Sequence, residues 1–395
     1  MADRVLAVFS GEPRFATPLH VGRPNIGDRG AFLSRIGGIL DRHWLTNEGE
    51  LVLELERRLA ERLCVRHCIA VCNGTAGLEI AIRALGLQGE VLVPSFTFVA
   101  TAHALQWQGV TPVFCDIRPD THTLDPRGLE KMITPRTTGI IGVHLWGQPC
   151  EIDALTALAR SRNLRLLFDA AHAFGCSHQG RMIGNFGDAE VFSFHATKVF
   201  NTLEGGAIAT NDDDVARRCR LMRNFGFAGC DQVDSVGTNG KMNEASAAMG
   251  LTNLESVDSF IAANRSNYQQ YRAGLATIPG IRLMPHNDGE RRNYNNIVIE
   301  VDQSECGLSR ETLHRALHAE HVLARRYFWP GCHRMEPYRT LFPSVHLLLP
   351  ETDRVASRVL SLPTGTAVSE TEVHAVCAII RQAVEHADEL SAALA

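Results

Sequence analysis

EVFSFHATKVFNTLEGGAIATND, residues 190–212, sets two short apolar runs around a polar loop, and its reading decides the fold. EVFSF (190–194) and GGAIATND (205–212) are too short for helices and predict two strands. The loop between them gathers Ser193, His195, Thr197 and Lys198 just beyond a strand end, followed by Glu204-Gly205-Gly206.

Working outward, runs of the same kind recur upstream: CIAVC (68–72), EVLVP (90–94), TPVFCDI (111–117), GIIGVHLWG (139–147) and LRLLFDAA (164–171). Amphipathic segments separate them, among them TAGLEIAIRALG (75–86), FVATAHALQWQ (98–108) and EIDALTALARSRN (151–163), and each reads as a crossover helix. The alternation predicts an α/β fold with a mostly parallel seven-stranded sheet covered on both faces. Residues 32–63 hold two helical patterns broken at TNEGE, expected to pack on the large domain or on a partner subunit. Beyond residue 240 the pattern changes to a long helical run, 243–278, broken by Pro279-Gly280. NNIVIEVD (295–302), a helix over 309–321, a strand VLARRYF (322–328) and a terminal helix from Ser369 then predict a small α+β unit. The expected division is a large domain over 1–255 and a small C-terminal domain over 256–395.

Composition narrows the function. A chain of 395 residues with 45% hydrophobic and 21% charged residues is an ordinary globular protein. Its net charge of −5, with dispersed basic residues, gives no footprint for a nucleic-acid backbone. No apolar stretch is long enough for a membrane span, and the VLAVF run near the start is too short for a signal-peptide core, so a cytoplasmic protein is expected. Its 11 cysteines then read as reduced thiols, and the Cys64, Cys68, Cys72 spacing matches no zinc pattern. No metal site is expected. Lysine is nearly absent: Lys131, Lys198 and Lys241 are the only three, so chemistry that needs an amine is easy to localise.

Three features could carry chemistry. Asn73-Gly74-Thr75-Ala76-Gly77 follows a strand and opens a helix, which suits either an anion held by backbone N–H groups or a plain capped turn. Asp169 ends the strand LRLLFD, where a carboxylate meets a ligand crevice or caps the next segment. Lys198 sits in a Ser/His/Thr/Gly loop rather than on a solvated helix face. An anion seat, a strand-end carboxylate and an amine are together what pyridoxal 5′-phosphate (PLP) requires: a phosphate site, a partner for the pyridine nitrogen and a Schiff-base lysine.

With these residues in view the chain resembles the DegT/DnrJ/EryC1/StrS sugar-nucleotide aminotransferases, which have the PLP-dependent aspartate aminotransferase type I fold. The resemblance runs from VGRPNIGD (21–28) and WLTNEGE (44–50) through NGTAGLEIAIRALGL, VLVPSFTFVATAHAL and FDAAHAFG to SFHATK…EGGA and GKMNEASAAMG. It implies that Lys198 carries the cofactor and then moves the proton, that Asp169 pairs with the ring nitrogen, and that Gly74, Thr75, Ala76 and Ser193 bind the phosphate. Phe98 matches the aromatic stacked on the ring, and His172 the position beside its phenolic oxygen. Asn239 matches an asparagine that reaches the neighbouring subunit's cofactor phosphate, which implies a homodimer with shared active sites. Two departures stand out: Lys241 where relatives carry an arginine that contacts the pyrophosphate, and Glu48-Gly49-Glu50 where they carry Gly-Pro or a similar pair. A nucleotide diphosphate needs cationic partners, for which Arg325, Arg326, Tyr327 and His333 are the candidates. The form of FDAAHAFG resembles the branch that aminates C4 of a dTDP-4-keto-6-deoxyhexose, so dTDP-4-keto-6-deoxy-D-glucose and L-glutamate are the expected substrates. The alternatives are a 3-amino sugar-nucleotide or cyclitol aminotransferase and, from another class, a non-catalytic regulatory protein of the same fold.

Overall fold

The computed structural model describes residues 5–394; the outermost residues of the two expected domain ranges lie outside them. All seven expected strands form: β1 His67–Val71, β2 Glu90–Pro94, β3 Thr111–Cys115, β4 Thr137–Val143, β5 Arg165–Asp169, β6 Ala189–Ser193 and β7 Gly206–Thr210. They make one sheet in the order β1-β7-β6-β5-β4-β2-β3, in which only β7 runs antiparallel to its neighbours. The strands are apolar at nearly every position because both faces are covered. In β5, Leu166 and Phe168 enter one core while Leu167 enters the other, and in β7 Ala207 and Ala209 part from Ile208 in the same way.

The helices around this sheet are α1 Arg29–Arg42, α2 Glu50–Leu63, α3 Gly74–Ala84, α4 Val99–Gln106, α5 Ile152–Ser161, α6 Asp213–Arg223 and α7 Glu244–Leu275. Buried residues of α2, α5 and α7 fill one face, and those of α3, α4 and α6 the other. The TNEGE break separates α1 from α2, and buried Glu244 accepts the N–H groups of Leu51 and Val52 at 3.1 and 2.9 Å, capping α2 where its own sequence offers no side chain.

The 32-residue α7 spans about 48 Å at 1.5 Å per residue. Its Val257 and Phe260 belong to the large core, whereas Tyr268, Tyr271 and Leu275 belong to a second one. The expected 255/256 division therefore falls inside one unbroken helix. The second core is built on the antiparallel sheet β8 Ile281–Leu283, β9 Ile297–Val301 and β10 Val359–Leu362, with α8 Arg310–Ala319 and α9 Glu370–Glu385 packed on it. Ser369 and Glu372 form a capping box at the start of α9.

Two expected strands are shorter than their apolar runs. VLARRYF is a strand only at Val322–Leu323, which pairs with Leu19–His20; thereafter the chain turns so that buried Phe328 enters the core between the domains. GIIGVHLWG stops at Val143, because Trp146 and Gly147 take positive φ (59° and 79°) and turn back towards the end of the sheet. Among the described residues no helix is long and apolar enough to cross a membrane, and no group of three or more His, Cys, Asp or Glu is placed to hold a metal.

Candidate active site

The carboxyl ends of β1, β2, β4, β5 and β6 lie along one edge of the sheet, where a doubly covered sheet leaves its ligand crevice. From β1 the chain passes through Asn73, whose side chain accepts the Ala76 N–H at 2.8 Å and so caps α3. The first N–H groups of α3 face the end of β6, and the approach is close. A Cβ on Gly74 would stand 3.0 Å from the Ser193 Cβ, and one on Gly206 would stand 2.9 Å from the Gly74 nitrogen. With no Cβ at these glycines, the end of α3 and the Ser193 hydroxyl come close together, a candidate seat for an anion.

Asp169, at the end of β5, is buried. Its Oδ1 accepts the Ala171 N–H at 3.0 Å and its Oδ2 the Thr101 hydroxyl at 2.8 Å. Burial pushes the carboxyl above its ordinary range, while the two donors and Lys198 oppose that rise. Lys198 leaves β6 through a turn in which its N–H donates to the His195 carbonyl at 2.9 Å. Burial pushes its ammonium down from 10.5 to about 8, with Asp169 pulling the other way. His172 is driven well below its usual value, first by burial and then by Lys198, and is a neutral imidazole. Its Nδ1 is buried with no hydrogen-bond partner among the described residues, and its ring is held by stacking on Trp146 (5.9 Å) and Phe328 (6.1 Å). The three groups thus share one electrostatic environment.

The lysine loop has little regular structure, and side-chain amides hold it. Asn25 donates to the Val199 carbonyl at 3.2 Å and Asn295 to that of Thr197 at 3.3 Å. Asn201 donates to the Asn25 carbonyl and Asn253 to the Asn201 carbonyl, both at 2.8 Å. Gly22, at φ 77°, lies so close that a Cβ there would stand 2.8 Å from the Thr197 Cβ.

The remaining candidates separate. Phe98 precedes α4 with 57% of its surface exposed, its ring 6.4 Å from that of Phe328; Thr75 is exposed in the first turn of α3. Asn239 is exposed beside Gly240, whose carbonyl accepts the Cys72 N–H. Lys241 donates to the Asn224 side chain at 2.9 Å and lies over the Phe225 ring, while its backbone pairs with Val71, two residues before Asn73. Arg325 is exposed, Arg326 is paired with Glu311 at 2.8 Å, and the Tyr327 ring stacks on Phe328. His333 is buried with Nδ1 at 2.7 Å from the Ser95 hydroxyl and Nε2 at 3.1 Å from Asp353, which leaves neither nitrogen for a ligand. Glu48, in the divergent segment before α2, pairs with buried Arg223 at 2.9 Å. Sequence reasoning missed Trp146, Thr101, Gly22 and Asn25; only the Trp146-Gly147 turn, just past a strand end, carried a local signal.

This fold, with its lysine and carboxylate on the carboxyl edge of the sheet, is the fold of the PLP-dependent sugar aminotransferases. The structure of DesI in the presence of its TDP-sugar product is 48% identical to the chain, covers 98% of both chains and has a TM-score of 0.94. That of Helicobacter pylori PseC, an aminotransferase involved in the biosynthesis of pseudoaminic acid, is 26% identical over 93% of this chain and 100% of its own, at 0.87. The chain belongs to the DegT/DnrJ/EryC1/StrS aminotransferase family, whose model matches residues 28–381. It is 36% identical over 365 residues (92% of this chain, 99% of the relative) to a dTDP-4-amino-4,6-dideoxy-D-glucose transaminase of Shigella dysenteriae. It is 35% identical over 348 residues (87% and 92%) to the GDP-perosamine synthase of Caulobacter vibrioides.

Proposed function

We propose that the chain transfers an amino group from L-glutamate to C4 of dTDP-4-keto-6-deoxy-D-glucose with PLP as cofactor, as a cytoplasmic homodimer with shared active sites. One observation carries the reading. Lys198, an amine with a pKa near 8, shares its environment with the buried carboxylate of Asp169, and the seat between α3 and Ser193 lies on the same edge of the sheet. The residues present fit PLP: the glycine seat suits a phosphate, the lowered amine suits capture of an aldehyde, and His172, on which the Lys198 charge acts, has a buried Nδ1 with no hydrogen-bond partner among the described residues. The names of DesI's product and of the Shigella relative support a dTDP-sugar aminated at C4. The exposed Leu33, Leu40 and Trp44 on and beside α1 suit burial against a second copy.

When bound, the cofactor supplies an electron sink for the pair left behind as a C–H proton departs. The protein's residues do the rest. Gly74, Thr75, Ala76 and Ser193 would hold the phosphate through N–H and hydroxyl donors. Asp169 would pair with the ring nitrogen and favour its protonated form, and Phe98 would stack on the ring. Lys198 at Nζ would take the proton from one carbon and return it to the other, which its lowered pKa permits near neutral pH. His172, neutral and fixed by Trp146 and Phe328, would stand beside the ring and its phenolic oxygen.

The test is the absorption spectrum of the PLP-loaded protein on adding L-glutamate and then dTDP-4-keto-6-deoxyglucose, with the sugar product identified by NMR. A band that moves to the pyridoxamine form and returns, with the new amine on C4, is expected. An amine on C3 would overturn the regiochemistry, and a spectrum indifferent to glutamate would overturn the donor.

A further inference from the structure

The turn that opens α4 carries two hydroxyls facing inward and one ring facing outward. Thr97 and Thr101 are almost fully buried, whereas Phe98 between them is exposed, its ring near that of Phe328. The Thr101 Oγ1 lies 2.8 Å from Asp169 Oδ2 and 3.0 Å from the Thr97 Oγ1. An ionised carboxylate only accepts, so the single Thr101 proton points at Asp169, and Thr97 must then be the donor to Thr101. The relay has one direction. It turns Oδ2 towards α4 while the Ala171 N–H fixes Oδ1, so the plane of the carboxylate is set from two sides. Because Thr97, Phe98 and Thr101 share one turn, the group that stacks on the ring and the group that aims the carboxylate are positioned by the same backbone.

We infer that Thr101, oriented by Thr97, is a positioning residue that holds Asp169 ionised and aimed at the ring nitrogen of the cofactor. This rests on the PLP reading above. The charged and titratable groups facing Asp169 from elsewhere are Lys198 beyond β6, and His144 beyond β4, with Glu190 of β6 bonded to His144 at 3.1 Å. None of them supplies the hydrogen bond to Oδ2.

The experiment compares wild type, Thr101→Val, which keeps the shape and removes the donor, and Thr101→Ser, which restores it. In the cofactor-free protein the Asp169 carboxyl is titrated by ¹³C NMR, its signal assigned with Asp169→Asn. In Thr101→Val the midpoint should rise by about one pH unit, roughly what one hydrogen bond to a carboxylate confers, and Thr101→Ser should bring it back. In the PLP-loaded protein the glutamate half-reaction should slow about tenfold on its acid limb, with KM for the sugar unchanged. Thr97→Val should move both readouts the same way by less, and it keeps the test alive if Thr101→Val fails to fold. An unmoved midpoint in the valine variants, or equal losses in Thr101→Val and Thr101→Ser, would overturn the assignment. The cofactor-free titration decides this even if glutamate leaves the wild-type spectrum unchanged, which would sink the donor assignment instead.

Discussion

Replacing Lys198 by methionine should stabilise the cofactor-free protein while abolishing transamination. The lysine's ammonium titrates near pH 8 in the fold against 10.5 when unperturbed, because burial strips its water faster than Asp169 repays the loss. The folded value lies below the unfolded one, so between pH 8 and 10.5 the unfolded chain binds the extra proton and stability rises with pH. Below pH 8 both states are protonated and the full penalty applies, up to about 3 kcal/mol from 1.36 kcal/mol per pH unit. At pH 7 the same difference leaves roughly 10% of the amine free, about 300 times the fraction in an ordinary lysine. Urea titrations of both cofactor-free proteins at pH 7 and pH 10 measure it. Lys198→Met should unfold at higher urea at pH 7, and the gap should narrow at pH 10. A variant less stable than wild type at pH 7, or a gap indifferent to pH, would refute the claim that the fold holds this amine against its own hydration.

Asp169→Asn should retain PLP, measured by its absorption after gel filtration, yet lose about 100-fold or more in single-turnover rate with glutamate, since a neutral amide cannot keep the ring nitrogen charged. Near-normal turnover would reduce Asp169 to the Asx turn it makes with Ala171. Gly22→Ala places a methyl against Thr197 at positive φ; about 1–3 kcal/mol of stability should be lost and PLP capture slowed, and an unchanged melting curve would mean the approach is looser than described. Asn25→Asp removes the donor to Val199 and adds a negative charge near the lysine loop, so the pH midpoint for capture of PLP by Lys198 should rise. Asn25→Ala should leave that midpoint in place, and equal midpoints in both variants would show that charge there does not reach the amine.

What was legible in the sequence follows a physical pattern. The seven strands were readable because buried parallel strands are continuous apolar runs, and Lys198 and Asp169 because each stands at the end of one. VLARRYF misled for the same reason in reverse: Phe328 and Tyr327 are apolar because they stack in the site, not because they lie in a sheet. His333 misled because a histidine beside arginines resembles an anion contact, whereas its nitrogens close a buried link between Ser95 and Asp353. Thr101 left no signal, since a threonine in an apolar helix is ordinary until its hydroxyl is seen to face Asp169.

The amides around the lysine loop explain how an irregular segment can hold a reactive amine. The loop that follows β6 cannot use ladder hydrogen bonds, and its carbonyls would otherwise need water, which would rehydrate Lys198 and return its pKa towards 10.5. Charged partners would fix the backbone equally well but would shift the amine by their own field. Asparagine donates and accepts at once without charge, so Asn25 can take the Val199 carbonyl while its Oδ1 accepts from Thr366 N–H and hydroxyl at 3.1 and 2.9 Å. Thr366 follows β10 of the small domain and Asn253 lies on α7, so the amide chain ties the lysine loop to an N-terminal segment, the long helix and the second domain. The small domain is thereby linked to the backbone of Val199, next to Lys198, through uncharged groups.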